Sequence, residues 1–129
     1  MAYVLIVIVL ALLQFAAFGI AVGRARHRYG VTAPAVTGHV IFERYFRAQM
    51  NTLEQLMLFV PAIWLFAQFI DPHWAAALGA VYLLGRTLYF TGYVKNPSSR
   101  RVGFLLTVAP TLVMLGGVLF AAVQMLRLS

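Results

Sequence analysis

Arg44, Arg47, Asn51 and Glu54 are spaced three, four and three residues apart, so on an α-helix they form one polar stripe. The helix that carries them then turns apolar, through Leu56, Met57, Leu58, Phe59 and Val60. Ionisable side chains running into such a segment are costly and point to a ligand or a partner. A second stripe, Tyr82, Arg86, Tyr89 and Tyr93, recurs at spacings of four, three and four. Gln49 and the basic residues Arg26, His27, Arg28, Arg100 and Arg101 complete an inventory that is mostly cationic, with Glu54 as its one carboxylate inside the apolar helix. Arginine binds carboxylates through a planar, bidentate fork and stays charged. Glu54 suits an ammonium group, and Asn51 can donate and accept. The matching chemistry is recognition of a small anionic ligand that carries one positive group, at the face of a membrane.

The elements that must position these residues are long apolar helices. The chain has 129 residues, 63% hydrophobic and 10% charged, whereas soluble domains average about 45–50% apolar and about 25% charged. This composition predicts an all-α membrane protein: a single domain forming a bundle of four transmembrane helices, at about 2–23, 41–70, 74–94 and 102–126. The first run is broken only by Gln14 and Gly19, and its positive charge follows it, which indicates a retained helix rather than a signal peptide. Thirty residues in the second helix make about 45 Å, more than the hydrocarbon thickness of about 30 Å. Counting back from Ile70 sets the membrane boundary near Asn51, with Arg44 and Arg47 at headgroup level and Glu54 about one turn inside. Pro61 is a candidate kink. Asp71-Pro72-His73 forms a short turn, Trp74 is placed as an interfacial anchor, and the fourth helix has no ionisable residue in its interior.

The formal charge is +7, from ten basic and three acidic residues. Arg24, Arg26, Arg28, Lys95, Arg100 and Arg101 fall at one end of this plan, and only Arg127 at the other. The positive-inside tendency then puts the two basic loops in the cytoplasm and both termini outside it, compatible with a bacterial inner membrane. No basic stretch is long enough for a nucleic-acid surface. The absence of cysteine excludes disulfides, a cysteine nucleophile and thiolate metal sites, and any thiol chemistry must use a thiol carried by a ligand; no metal is expected. Plainer roles compete at several positions. Arg44 can pair with Glu43 at the interface, and Arg86 suits an ion pair with a buried carboxylate. Tyr82 suits packing, Arg24 and Arg28 suit topology signals, and His27 suits a solvated loop; His39 and His73 show no partner pattern.

Residues 42–54, FERYFRAQMNTLE, resemble the second-helix motif of the membrane-associated proteins in eicosanoid and glutathione metabolism (MAPEG), and residues 81–93, VYLLGRTLYFTGY, are similar to that family's third-helix motif. The likeness is closest to the branch of leukotriene C4 synthase and microsomal glutathione transferase 2, and with the helix plan it covers nearly the whole chain. The resemblance implies a homotrimer of four-helix subunits with glutathione, a co-substrate, bound between neighbours near the cytoplasmic face. It implies glutathione contacts from Arg26, Arg47, Gln49, Asn51, Glu54, Tyr89 and Tyr93, and less directly His27. It also implies that Arg100 faces the glutathione sulfur, with Arg101 as a competing candidate. A free thiol titrates near about 8.5, and a nearby cation favours its thiolate; Arg100 would act electrostatically rather than as a base. The expected activity is glutathione transfer to hydrophobic electrophiles, or reduction of lipid hydroperoxides, by partners that partition into membrane lipid.

Two departures bear on this reading. Gln55 follows Glu54 where the family's eicosanoid enzymes have an aromatic residue, which removes a hydroxyl contact and argues against leukotriene synthesis. The first loop reads Arg-Ala-Arg-His-Arg rather than a clean basic pair. The alternative function is non-enzymatic lipid binding or scaffolding on the same fold, a branch that lacks an arginine in the position of Arg47. A small four-helix exporter fits the length, but it would place its carboxylate in the first helix, which has none.

Overall fold

The computed structural model describes residues 1–129, and all of its regular structure is helical. Four long helices follow in order: α1 (Ala2–Tyr29), α2 (Val40–Phe69), α3 (Pro72–Lys95) and α4 (Arg101–Leu128), with a 3₁₀ turn, Pro97–Arg100, leading into α4. Three of the helical segments, Ala2–Tyr29, Val40–Phe69 and Pro97–Leu128, are long and apolar enough to cross a membrane. The exception is α3, which carries Arg86 and three tyrosines and packs against the other three helices.

Local chemistry sets the helix ends. Rather than stopping near residue 23, α1 runs on to Tyr29, so Arg24, Arg26 and Arg28 lie on its last turns and not in a loop. Gly30 ends it in the left-handed region at φ 69°, where the missing Cβ removes the steric penalty, and the N–H of Val31 donates to the Arg26 carbonyl at 3.1 Å. At the start of α2, the Ile41 N–H donates to His39 Nδ1 and the Gly38 N–H donates to Glu43; α2 then continues through Pro61 without a break. Asp71 accepts from the His73 N–H at 2.9 Å, with Pro72 as the first residue of α3.

The main core lies in the more apolar half of the bundle, built on Val4, Phe59, Ile63, Phe66, Tyr82 and Met114. Tyr82 stacks on Phe59 with ring centroids 3.7 Å apart, the packing role its sequence context suggested. Toward the basic end, a smaller cluster of Ala48, Tyr89 and Phe90 joins α2 to α3, and Phe18 of α1 stacks on Phe90 at 4.0 Å. Gln14 of α1 donates to the Leu83 carbonyl and to Thr87 Oγ1, both at 3.0 Å, a polar staple between α1 and α3. The backbones of α3 and α4 come close at Gly103, where a Cβ would clash with the Tyr89 backbone nitrogen. That contact brings the N-terminal turn of α4 beside Tyr89.

Candidate functional site

An open cleft of about 590 Å³ lies at the basic end, between α2, α3 and the start of α4. From α2 it is lined by Arg47, Asn51 and Glu54, from α3 by Tyr89 and Tyr93, and from the turn before α4 by Arg100. Met50, Leu53 and Phe104 supply its apolar part. The three-four-three spacing on α2 turns its polar stripe to one side, while Ala48, Thr52 and Leu56 on the adjoining face are buried. Tyr89 and Tyr93 are stacked with centroids 5.6 Å apart.

The electrostatics favour an anion. Arg47 and Arg100 are exposed along the cleft, with Glu54 as its single carboxylate. No intrachain hydrogen bond or ion pair engages the side chains of these three residues. Arg100 is the residue just before the first turn of α4; its side chain makes no capping hydrogen bond, and that turn has no acidic residue. A helix N-terminus already carries a partial positive charge, so cations there add to the local field instead of balancing it. Arg101 is placed differently: it shares a shallow surface with Pro97, Ser98 and Arg100, and only Arg100 reaches the cleft.

Two of the residues expected at the site lie elsewhere in the chain. Arg26 donates to the Ala35 carbonyl at 2.6 Å and stacks over the Phe42 ring at 4.8 Å. Gln49 projects toward α1, where a Cβ on Gly19 would meet its amide nitrogen at 2.9 Å. His27 is exposed on the α1 side. Arg44 does not pair with Glu43; it donates to the Lys95 carbonyl at 3.1 Å and to the Val94 carbonyl at 3.5 Å, satisfying the C-terminal end of α3.

Arg86 departs most from expectation. It is fully buried, and instead of a carboxylate it meets neutral oxygens: Thr107 Oγ1 and Asn51 Oδ1 at 2.9 Å, and Thr52 Oγ1 at 3.1 Å. Its guanidinium lies 4.3 Å from the centre of the Tyr89 ring. A lone cation in an apolar helix calls for an ion pair, which is the expectation that Arg86 raises in the sequence. The threonines that replace the carboxylate, Thr52 and Thr107, gave no charge signal.

An all-helical bundle, three of its helical segments able to cross a bilayer and a cationic cleft at one end, defines an integral membrane protein. The chain belongs to the MAPEG family, whose model matches residues 3–120. It is 42% identical over 100 residues to microsomal glutathione S-transferase 2 of Homo sapiens, covering 78% of this chain and 68% of that protein. It is 38% identical over 94 residues to leukotriene C4 synthase of Bos taurus, covering 73% and 63% respectively. An uncharacterized protein of Synechocystis is 48% identical over 118 residues, covering 92% of this chain and 86% of the relative.

Proposed function

We propose that this chain is a membrane-bound glutathione transferase whose cleft binds glutathione and holds it as the thiolate. The observation that carries the reading is the convergence of Arg47, Asn51, Glu54, Tyr89, Tyr93 and Arg100 on one cleft. Glutathione has two carboxylates, one ammonium and one thiol. Arg47 takes a carboxylate, Glu54 takes the ammonium, and the tyrosine hydroxyls and Asn51 hold the peptide backbone. Arg100 faces the sulfur and, with the N-terminus of α4, stabilises its negative charge.

The thiolate then attacks an electrophilic carbon of a lipid-soluble substrate. A carbon–sulfur bond forms, and the electron pair leaves with the departing group or is captured by a proton. With a lipid hydroperoxide, the sulfur attacks the terminal oxygen and the alcohol leaves; a second glutathione converts the sulfenic acid to disulfide and water. The apolar lining by Met50, Leu53 and Phe104 supports substrates of this class.

All four helices cross the membrane in this reading, with the cleft toward the cytoplasm and both termini outside it. The active assembly is a homotrimer. Arg26 and Gln49 face away from the cleft of their own chain, so they contribute to a site only across a contact between copies. Titration of glutathione into detergent-purified protein, followed by difference absorbance in the thiolate band, tests the reading. Binding with a thiolate signal at neutral pH is the expected result. No binding would move the function to lipid binding or scaffolding.

A further inference from the structure

Arg86 stands behind the cleft rather than in it, yet it touches the lining from two sides. Its Nη1 donates to Asn51 Oδ1 at 2.9 Å, and its guanidinium lies over the Tyr89 ring at 4.3 Å. Asn51 comes from α2 and Tyr89 from α3, and both line the cleft. Thr52 and Thr107 hold the guanidinium in place from α2 and α4.

Arginine has donors only. Asn51 must therefore turn its oxygen toward Arg86, which leaves its NH₂ group for the cleft. An isolated asparagine could offer a ligand either a donor or an acceptor, and Arg86 removes that choice. The group opposite Asn51 must then accept a hydrogen bond. No carboxylate neutralises Arg86, so its charge adds to that of Arg47 and Arg100 in a medium that screens weakly. An arginine without a carboxylate is a poor way to join helices, because well-packed apolar residues of similar volume stabilise such a place as well or better.

We propose that Arg86 is a positioning residue for the glutathione site: it presents the Asn51 amide to the ligand as a donor, to a carboxylate or carbonyl oxygen, and holds the Tyr89 ring at the wall. The proposal rests on the glutathione reading above and adds a residue that acts through two others.

Three variants test it by glutathione titration, by KM and kcat with a chlorodinitrobenzene as electrophile, and by thermal unfolding in detergent. Asn51→Asp keeps an acceptor facing Arg86, loses the donor facing the cleft and adds a carboxylate that neutralises Arg86. Its folding should match wild type, while the glutathione Kd and KM rise roughly tenfold or more and kcat at saturation changes little. Arg86→Gln frees the Asn51 amide to turn and should raise the Kd several-fold in the folded fraction. Arg86→Lys, which keeps donors and charge, should stay much closer to wild type. A merely structural role predicts lower stability in both Arg86 variants with wild-type Kd in what folds, and that result overturns the proposal. If Arg86→Gln does not fold, Asn51→Asp decides alone, and wild-type affinity there overturns it as well. Failure of the wild-type protein to bind glutathione would instead overturn the functional reading, and this inference with it.

Discussion

Arg26 and Arg100 both sit at helix ends on the basic end of the bundle, but their surroundings are opposite. Arg26 lies on the last turn of α1, where the helix dipole favours a cation, and it is engaged by the Ala35 carbonyl and the Phe42 ring. Arg100 lies at the first turn of α4, where the dipole disfavours a cation, and it faces an open cleft. The first arrangement is satisfied within one chain. The second leaves the guanidinium without a partner inside the chain. Arginine count alone does not mark the site; an unpartnered cation that faces the cleft does.

The largest expected effect comes from breaking the Arg100 side. Arg100→Ala should lower kcat about a hundredfold or more, while glutathione affinity changes only several-fold, since the proposed role is on the developing thiolate rather than on binding. Unchanged turnover would remove Arg100 from the chemistry. Arg47→Ala should act on binding instead, raising the Kd about tenfold by loss of one charge-assisted bond. Calorimetry on the two variants separates these roles.

The Arg26 side can be sharpened by mixing chains. Arg26→Ala alone should weaken glutathione binding several-fold if its remaining donors serve a neighbouring copy. Co-expression of Arg26→Ala and Arg100→Ala chains should restore about a quarter of the intact sites, because random assembly pairs the two unaltered faces with that frequency. No activity beyond the sum of the separate variants would place the whole site in one chain. Gly103→Ala should cost about 1–3 kcal/mol of stability by forcing α3 and α4 apart at Tyr89, read as a lower unfolding temperature. The smallest effect is expected for Arg101→Ala, with kinetics within about twofold of wild type, since an exposed side chain away from the cleft is rarely worth more.

Much of the fold was legible in the residues. The apolar runs indicated helices, and seven of the eight expected helix ends lie within about two residues of those observed. The exception, the end of α1, was misplaced because Arg24, Arg26 and Arg28 read as loop, although arginine is a good helix former and Gly30 is the true stop. At the site, the α2 stripe and the tyrosine pair were legible because both obey helical spacing. The partners of Arg44 and Arg86 were not, since backbone carbonyls and threonine hydroxyls carry no charge pattern.

The sequence by itself determined the membrane class and which residues share a helix face. In lipid the backbone must satisfy its own hydrogen bonds, so long apolar segments form helices, and a helix converts spacing directly into direction. Only the tertiary structure decided which stripes meet. Arg100 ends the 3₁₀ turn and Arg101 begins α4, and the packing of that junction beside Tyr89 leaves Arg100 in the cleft and Arg101 outside it. On α2, two residues of shift turn a side chain by about 200° around the axis, which separates Gln49, packed toward α1, from Arg47 and Asn51 in the cleft. Helix packing alone placed Thr52 and Thr107 around Arg86, where contacts between residues far apart in the chain replaced the ion pair that local reasoning required.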